Sequence, residues 1–205
     1  CSGFCFINDV NVGIMELLKV HDRVLYVDLD VHHGDGVEEA FAWSDRVFTL
    51  SLHKFGESFF PGTGHATDIG FGKGRWYTLN LPLTDGVCDQ DYVDLFGYTL
   101  GRIRAAFQPQ AVVVQCGADS LAGDRVGVLN LSSAGHARCV EMVKELGIPT
   151  IALGGGGYTM RNVARLWAYE TAVLCGVPVP VHAPIFVEDA TGDGEVKADD
   201  TTASS

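Results

Sequence analysis

The stretch VLYVDLDVHHGDG, residues 24–36, sets Asp28, Asp30, His32 and His33 within six positions directly after an apolar run. In an extended strand successive side chains alternate, so Tyr26, Asp28, Asp30 and His32 share one face and Val27, Leu29 and Val31 the other. The spacing therefore predicts that two carboxylates and an imidazole converge near the end of the strand. Carboxylates that close raise each other's pKa unless a cation neutralises them, and a metal ion would do so. Asp30 and His32 supply two ligands, whereas a catalytic metal centre usually takes three from the protein and leaves one position open. The segment VVVQCGADSLAGD offers two candidates for the third: Asp119, immediately after an apolar run, and Asp124, five residues further on. Gly154–Gly157 then let the backbone approach a ligand closely and deliver Tyr158, whose phenol could donate a hydrogen bond to a developing oxyanion.

Each of these residues alone has a blander explanation. A single Asp or His at a strand end usually caps or faces water, a single Tyr is usually core, and GFGKG lacks the Lys-Ser/Thr of a phosphate loop. His21, His65, His136 and His182 show no partner pattern and are assigned no role. What structure alone does not explain is the combination, in which three strand ends deliver acid, imidazole and phenol.

The elements that must position these groups alternate along the chain. Residues 8–22 carry Val10, Ile14, Leu17 and Leu18 at helical spacing, and residues 23–31 follow as a strand. A short helix at 36–43 and a strand at 46–53 come next. Residues 53–75, rich in Gly and Phe, read as a long loop. A strand at 76–83 leads to a helix over 91–107 whose inner face is Val93, Phe96, Leu100, Ile103 and Phe107. The continuous apolar run AVVVQCG predicts a strand covered on both faces. A helix follows, starting at Ser132 or Ser133 and stopped by Gly147 and Pro149. PTIALGGGG is expected to be another buried strand, and residues 161–175 a last helix ended by Gly176 and Pro178. Alternating helices and apolar strands imply a parallel sheet between helical layers, whose ligands bind at the carboxyl ends of the strands.

Composition narrows the function classes. The 205 residues are 47% hydrophobic and 20% charged, as in a globular domain. A net charge of −12 argues against direct nucleic-acid binding, which needs a basic footprint. No apolar stretch reaches the length of a membrane span. The six cysteines form no C-x-x-C pair, so a disulfide framework is not expected and a reducing compartment is favoured. Glu188, Asp189, Asp193, Glu195, Asp199 and Asp200 stand against one Lys197 before TTASS, the composition of a disordered acidic tail. The chain opens without Met or signal peptide, which reads as a fragment.

The segments SGFCFINDV, YVDLDVHHGDGVEEAF, SLHKFGESFFPGTG, QCGADSLAGDRVG and LGGGGYTMRNVARLWAYET, spread over residues 2–173, closely resemble the class I histone deacetylases of the arginase/deacetylase superfamily. The resemblance implies an incomplete three-layer α/β/α fold with a mainly parallel sheet: a partial catalytic domain over residues 1–180, then the tail at 181–205. It implies a catalytic zinc on Asp30, His32 and Asp119, although two carboxylates and one imidazole can also hold Fe²⁺. It gives Tyr158 the polarisation of the acetyl carbonyl, and Gly3, Phe4, Phe60 and Gly156 the tunnel for the acyl-lysine stem. Asp28 and Asp35 match carboxylates that orient the family's two active-site histidines. A structural potassium would use Asp28, Asp30, His32, Ser51 and Leu52, and a second Phe41, Ser44, Val47 and Tyr77. Arg125 and Arg161 match basic positions used with inositol phosphate at a corepressor interface.

The implied activity is hydrolysis of N-acetyl-lysine on histone tails, with chromatin regulation and transcriptional repression in the nucleus (or cytoplasm) and corepressor proteins as partners. The family's general base belongs to a His-His pair upstream of SGFC, outside this sequence. The 205 residues alone are accordingly expected to be nearly inactive, and the base role is not transferred to His33. Past Thr171 the sequence departs from the family pattern. Alternative readings are an acetylpolyamine-type deacetylase, an arginase-like dimanganese hydrolase, and a non-catalytic deacetylase-like scaffold.

Overall fold

In the computed structural model, which describes residues 2–56 and 58–178, five strands form one sheet with every pairing parallel. α1 (Asp9–Leu17) precedes β1 (Val24–Asp28), and α2 (Asp35–Phe41) precedes β2 (Val47–Lys54). A long loop with a 3-10 turn at Gly72–Gly74 leads to β3 (Thr78–Leu83). α3 (Asp89–Phe107), β4 (Ala111–Gln115), α4 (Ser133–Lys144), β5 (Thr150–Leu153) and α5 (Met160–Cys175) follow. The strand order is β3-β2-β1-β4-β5, with Asp28 in register with Ser51 of β2 and Gln115 of β4. The chain winds outward from β1 to β3, then crosses back through α3 to the far side of β1. The order reverses between β1 and β4, and the crevice beyond the carboxyl ends at such a reversal is where open parallel sheets bind ligands.

Alternation along the strands builds the two helical layers. Leu25 and Val27 point with Leu50, Leu52, Val112 and Val114 into a core shared with Phe96, Leu100, Val140, Val143 and Leu166 of α3–α5. Val24, Tyr26, Val47, Ala111 and Val113 point the other way, against Ile14 of α1 and Val37 and Phe41 of α2. Ser132 caps α4 by accepting from the Gly135 N–H at 3.1 Å, so Ser133 is its first residue. Gly176, at φ +71°, closes α5 in the left-handed conformation.

Three expectations change. β1 ends at Asp28 rather than continuing to Val31, because the chain beyond it coils around carboxylates. On α3 the buried stripe is Tyr92, Phe96, Leu100, Ile103 and Phe107, with Val93 only half-buried. The helix begins at Asp89, and Tyr92, one turn before Phe96, faces the sheet more squarely than Val93 does. β5 is not buried among the described residues: Ile151 is 41% exposed, since β5 is the last strand on its side of the described sheet. The acidic tail expected at 181–205 lies outside the described residues.

Candidate active site

The groups singled out in the sequence meet at the β1/β4 reversal. Beyond β1 the backbone folds over its own carboxylates. Asp30 N–H donates to Asp28 Oδ1 (3.0 Å), His32 N–H to Asp30 Oδ1 (2.9 Å) and Val31 N–H to Asp119 Oδ1 (2.9 Å). Asp119 arrives from the 3-10 turn Ala118–Ser120 after β4 and is fully buried. Donor atoms of Asp30, His32 and Asp119 all lie within 4.8 Å of one another. His32 Nδ1 stands 2.9 Å from Asp30 Oδ1 and 3.1 Å from Asp119 Oδ2. Asp30 Oδ2 accepts from Gln115 Nε2 and from Gly156 N–H, each at 2.9 Å. A side chain at Gly156 would run into Asp119 Oδ2 and stand 2.9 Å from Asp30 Oδ2, so glycine is what lets this loop close over the carboxylates.

Burial and mutual contact compete for the charges here. Burial lowers the His32 pKa, but hydrogen bonds to Asp119 and Asp30 outweigh it and carry the group up to about 10. Burial raises Asp30, yet hydrogen bonds from His32 and Gln115 bring it down to about 2. Asp119 is pushed up to about 6, chiefly by burial, with the His32 bond opposing and the Asp30 charge adding to it. Asp28 is raised well above the usual carboxylate range by burial and by the Asp30 charge, against hydrogen bonds from the Tyr26 hydroxyl (2.7 Å) and Asp30 N–H. Without a metal, the acids keep a proton on His32 between them. One nitrogen and two carboxylate oxygens around that proton form a donor set that fits a divalent ion, which would take the proton's place.

A cavity of about 1000 Å³ opens over this cluster, with Asp30, His32, Gly156, Tyr158, Phe4 and Phe60 among its walls. The Phe4 and Tyr158 rings lie 5.9 Å apart, as do the Phe60 and His32 rings. Gly3, at φ +56°, turns the chain so that Phe4 stands over the cavity mouth. Phe59, not singled out in the sequence, stacks on the His32 imidazole at 5.2 Å with 12° between planes. The doublet before Pro61 was its only sequence signal.

Asp124, the open alternative for the third acid, is engaged elsewhere. Its Oδ2 accepts from the N–H groups of Tyr158 (2.7 Å) and Thr159 (3.3 Å), and its Oδ1 from those of Val126 (2.8 Å) and Gly127 (3.0 Å). It therefore laces the Tyr158 loop to the loop after β4. The Tyr158 phenol is raised to about 12, mainly by burial and then by the charges of Asp119, Asp30 and Asp124, so it remains a donor at neutral pH.

The remaining candidates are less concentrated. Asp35 lies in the first turn of α2 and lines the same cavity. Ser51 and Leu52 are buried on β2 beside Asp28, and Ser51 Oγ pairs with His53 Nδ1 at 2.9 Å. Burial holds His53 down to about 4, with the nearby His33 adding to the effect. Phe41, Ser44, Val47 and Tyr77 fall where α2 runs into β2 and the chain enters β3, well along the strands from the acids. Both His33 nitrogens are engaged, Nδ1 with Thr63 Oγ1 (2.8 Å) and Nε2 with Glu38 Oε2 (2.9 Å). Arg125 and Arg161 are exposed on the two segments that Asp124 ties together. Gln115 was missed because its partner lies 85 residues away in sequence.

Comparison with known proteins bears on this arrangement. The histone deacetylase domain family matches residues 1–174. Histone deacetylase 19 of Arabidopsis thaliana is 58% identical over 183 residues, 89% of this chain and 36% of that protein. Histone deacetylase 1 of Homo sapiens is 57% identical over 183 residues, 89% of this chain and 38% of that protein. A probable histone deacetylase 19 of Zea mays is 59% identical over 196 residues, 93% of this chain and 38% of that protein. The chain thus spans little more than a third of the length of these relatives.

Proposed function

This chain belongs to the histone deacetylase family, and on that footing we propose that the whole protein hydrolyses N-acetyl-lysine on histone tails and other proteins with the cluster at the β1/β4 reversal as its metal centre. The observation that carries the reading is the approach of Asp30, His32 and Asp119 to within 4.8 Å beneath a cavity walled by Tyr158, Phe4 and Phe60. Asp30, His32 Nδ1 and Asp119 would hold a Zn²⁺ or Fe²⁺ ion, which acts as a Lewis acid toward the acetyl oxygen and a water. Phe4 and Phe60 face the apolar stem of the lysine. Tyr158, a phenol protonated at neutral pH and held further so by burial, donates its O–H to the oxyanion as the tetrahedral centre forms. The base that activates the water is not assigned to His33, whose two nitrogens already have partners.

The same reading places a potassium ion at Asp28, Asp30, His32, Ser51 and Leu52, where a cation would relieve the raised Asp28 carboxyl. It places a second at Phe41, Ser44, Val47 and Tyr77, and Asp35 as an orienting acid at the cavity wall. Arg125 and Arg161 would offer an inositol phosphate a two-point basic contact beside a corepressor. Residues 1–180 would form part of the catalytic domain. Action on chromatin in the nucleus accompanies the reading. Among the described residues no helix is long and apolar enough to cross a membrane.

The test is deacetylation of an acetyl-lysine histone peptide by the full-length protein, alongside an acetylpolyamine. Asp119→Asn and chelator-stripped protein should lose turnover, with stripped protein recovering on addition of Zn²⁺ or Fe²⁺. Full activity in either would refute the metal centre, and preference for the polyamine would reassign the substrate.

A further inference from the structure

Behind the site the chain buries a further acid–imidazole contact. His136 of α4 is 0% exposed and Glu170 of α5 is 3% exposed. His136 Nδ1 lies 2.5 Å from Glu170 Oε1, and Nε2 lies 3.1 Å from the carbonyl oxygen of Gly117. A carbonyl only accepts, so Nε2 carries a hydrogen. The short contact with Glu170 needs a proton as well, since two bare lone pairs would repel at that distance. Glu170 thus holds the ring at Nδ1 while Gly117 takes the Nε2–H on its other side.

What the pair holds is the turn that carries Asp119. Gly117 N–H donates to Gln115 Oε1 at 2.7 Å, and Gln115 Nε2 donates to Asp30 Oδ2 at 2.9 Å. A side chain at Gly117 would collide with the Asp30 carboxylate, so this backbone runs directly against the acids. The indole N–H of Trp167, also on α5, donates to the Cys116 carbonyl at 2.8 Å. A continuous line of contacts thus runs from Glu170 through His136, Gly117 and Gln115 to Asp30.

We propose that His136 and Glu170 are positioning residues for the metal centre: they pin the Gly117–Asp119 turn from behind and so set the separation of Asp30 and Asp119. The proposal rests on the metal-centre reading above. Glu170 fixes the imidazole's tautomer and orientation, as acids do behind metal-bound histidines. Here the imidazole grips the backbone under the ligands instead of the ion.

The test is Zn²⁺ titration of metal-free full-length protein against a chromophoric chelator, with thermal melting to report folding and steady-state kinetics on an acetyl-lysine peptide. Glu170→Gln can donate an amide N–H to Nδ1, leaving Nε2–H on Gly117, and should bind Zn²⁺ within about threefold of wild type. Glu170→Asp, a methylene shorter, should weaken binding roughly 10- to 100-fold and lower kcat with KM unchanged. If Glu170→Asp does not fold, the double variant His136→Leu with Glu170→Leu takes its place under the same threshold, since replacing both buried partners with apolar groups can be nearly neutral for folding. A loss below about threefold in the Asp or double variant, or a Gln variant as weak as the Asp variant, overturns the proposal. Failure of wild type itself to bind Zn²⁺ overturns the metal-centre reading instead.

Discussion

Gly156→Ala is expected to disable the metal centre while leaving the sheet intact. A methyl group there would overlap Asp119 Oδ2 outright and stand 2.9 Å from Asp30 Oδ2, where ordinary contact begins at 3.4 Å. Asp30 must then retreat by about half an ångström and Asp119 by more, or the loop must withdraw and give up the 2.9 Å bond from Gly156 N–H to Asp30. Metal–ligand distances tolerate only about 0.2 Å, and Asp119 is fully buried with one oxygen held by Val31 N–H, so it has little room to comply. Displacements on the order of 1 Å at a reacting centre cost about 10²-fold, or about 2.8 kcal/mol at 1.4 kcal/mol per decade. Zn²⁺ affinity by chelator competition and turnover of an acetyl-lysine peptide should both fall by about that factor. The clash falls on the two carboxylates and not on apolar core side chains, so melting of the metal-free protein should change much less than metal affinity does. Wild-type Zn²⁺ affinity in Gly156→Ala would refute the reasoning.

Three further outcomes are expected. Tyr158→Phe should lower kcat by about 10²–10³-fold, as for loss of one oxyanion donor, with Zn²⁺ affinity unchanged; equal losses in kcat and metal binding would show that the phenol is structural. Asp124→Ala removes four backbone hydrogen bonds and frees the Tyr158 loop. Its kcat should fall by about 10²-fold while the metal stays bound, and a drop in Zn²⁺ affinity as large as the drop in kcat would count against a role confined to Tyr158. The His32 pKa in metal-free protein is raised to about 10, so the imidazole is protonated below that pH and the incoming metal must displace the proton. The sign is fixed: log affinity for Zn²⁺ should rise by about one unit per pH unit from pH ~7 to ~9, and a flat profile by chelator competition would refute the protonated cluster.

Much of this was readable in the residues because it depends on local periodicity. Ala111–Val114 reads as a doubly covered strand since all four residues are apolar, and all four are buried in β4. The alternating strands and helices specified a parallel sheet, and motif likeness carried the family. Alternation along β1 also indicated that Asp30 and His32 face one way, but for an incomplete reason: the strand stops at Asp28 and the hydrogen bonds of a coiled turn bring them together. Asp119 and Asp124 could not be ranked by spacing alone. The tertiary structure separates them, burying one beside His32 and committing the other to four backbone N–H groups.

The sequence by itself determined the layered fold and the chemical types at the strand ends, since a period of two or of 3.6 is written in neighbouring residues. Only the tertiary structure decided which side chains hold others in place. His136 has no partner within reach along the chain, yet it sits between Glu170, 34 residues on, and Gly117, 19 residues back. Gln115 reaches Asp30 and Phe59 stacks on His32 for the same reason. Such contacts exist only once the sheet has brought distant strand ends together, because hydrogen bonding and stacking act over a few ångströms of space and sequence separation does not encode that distance.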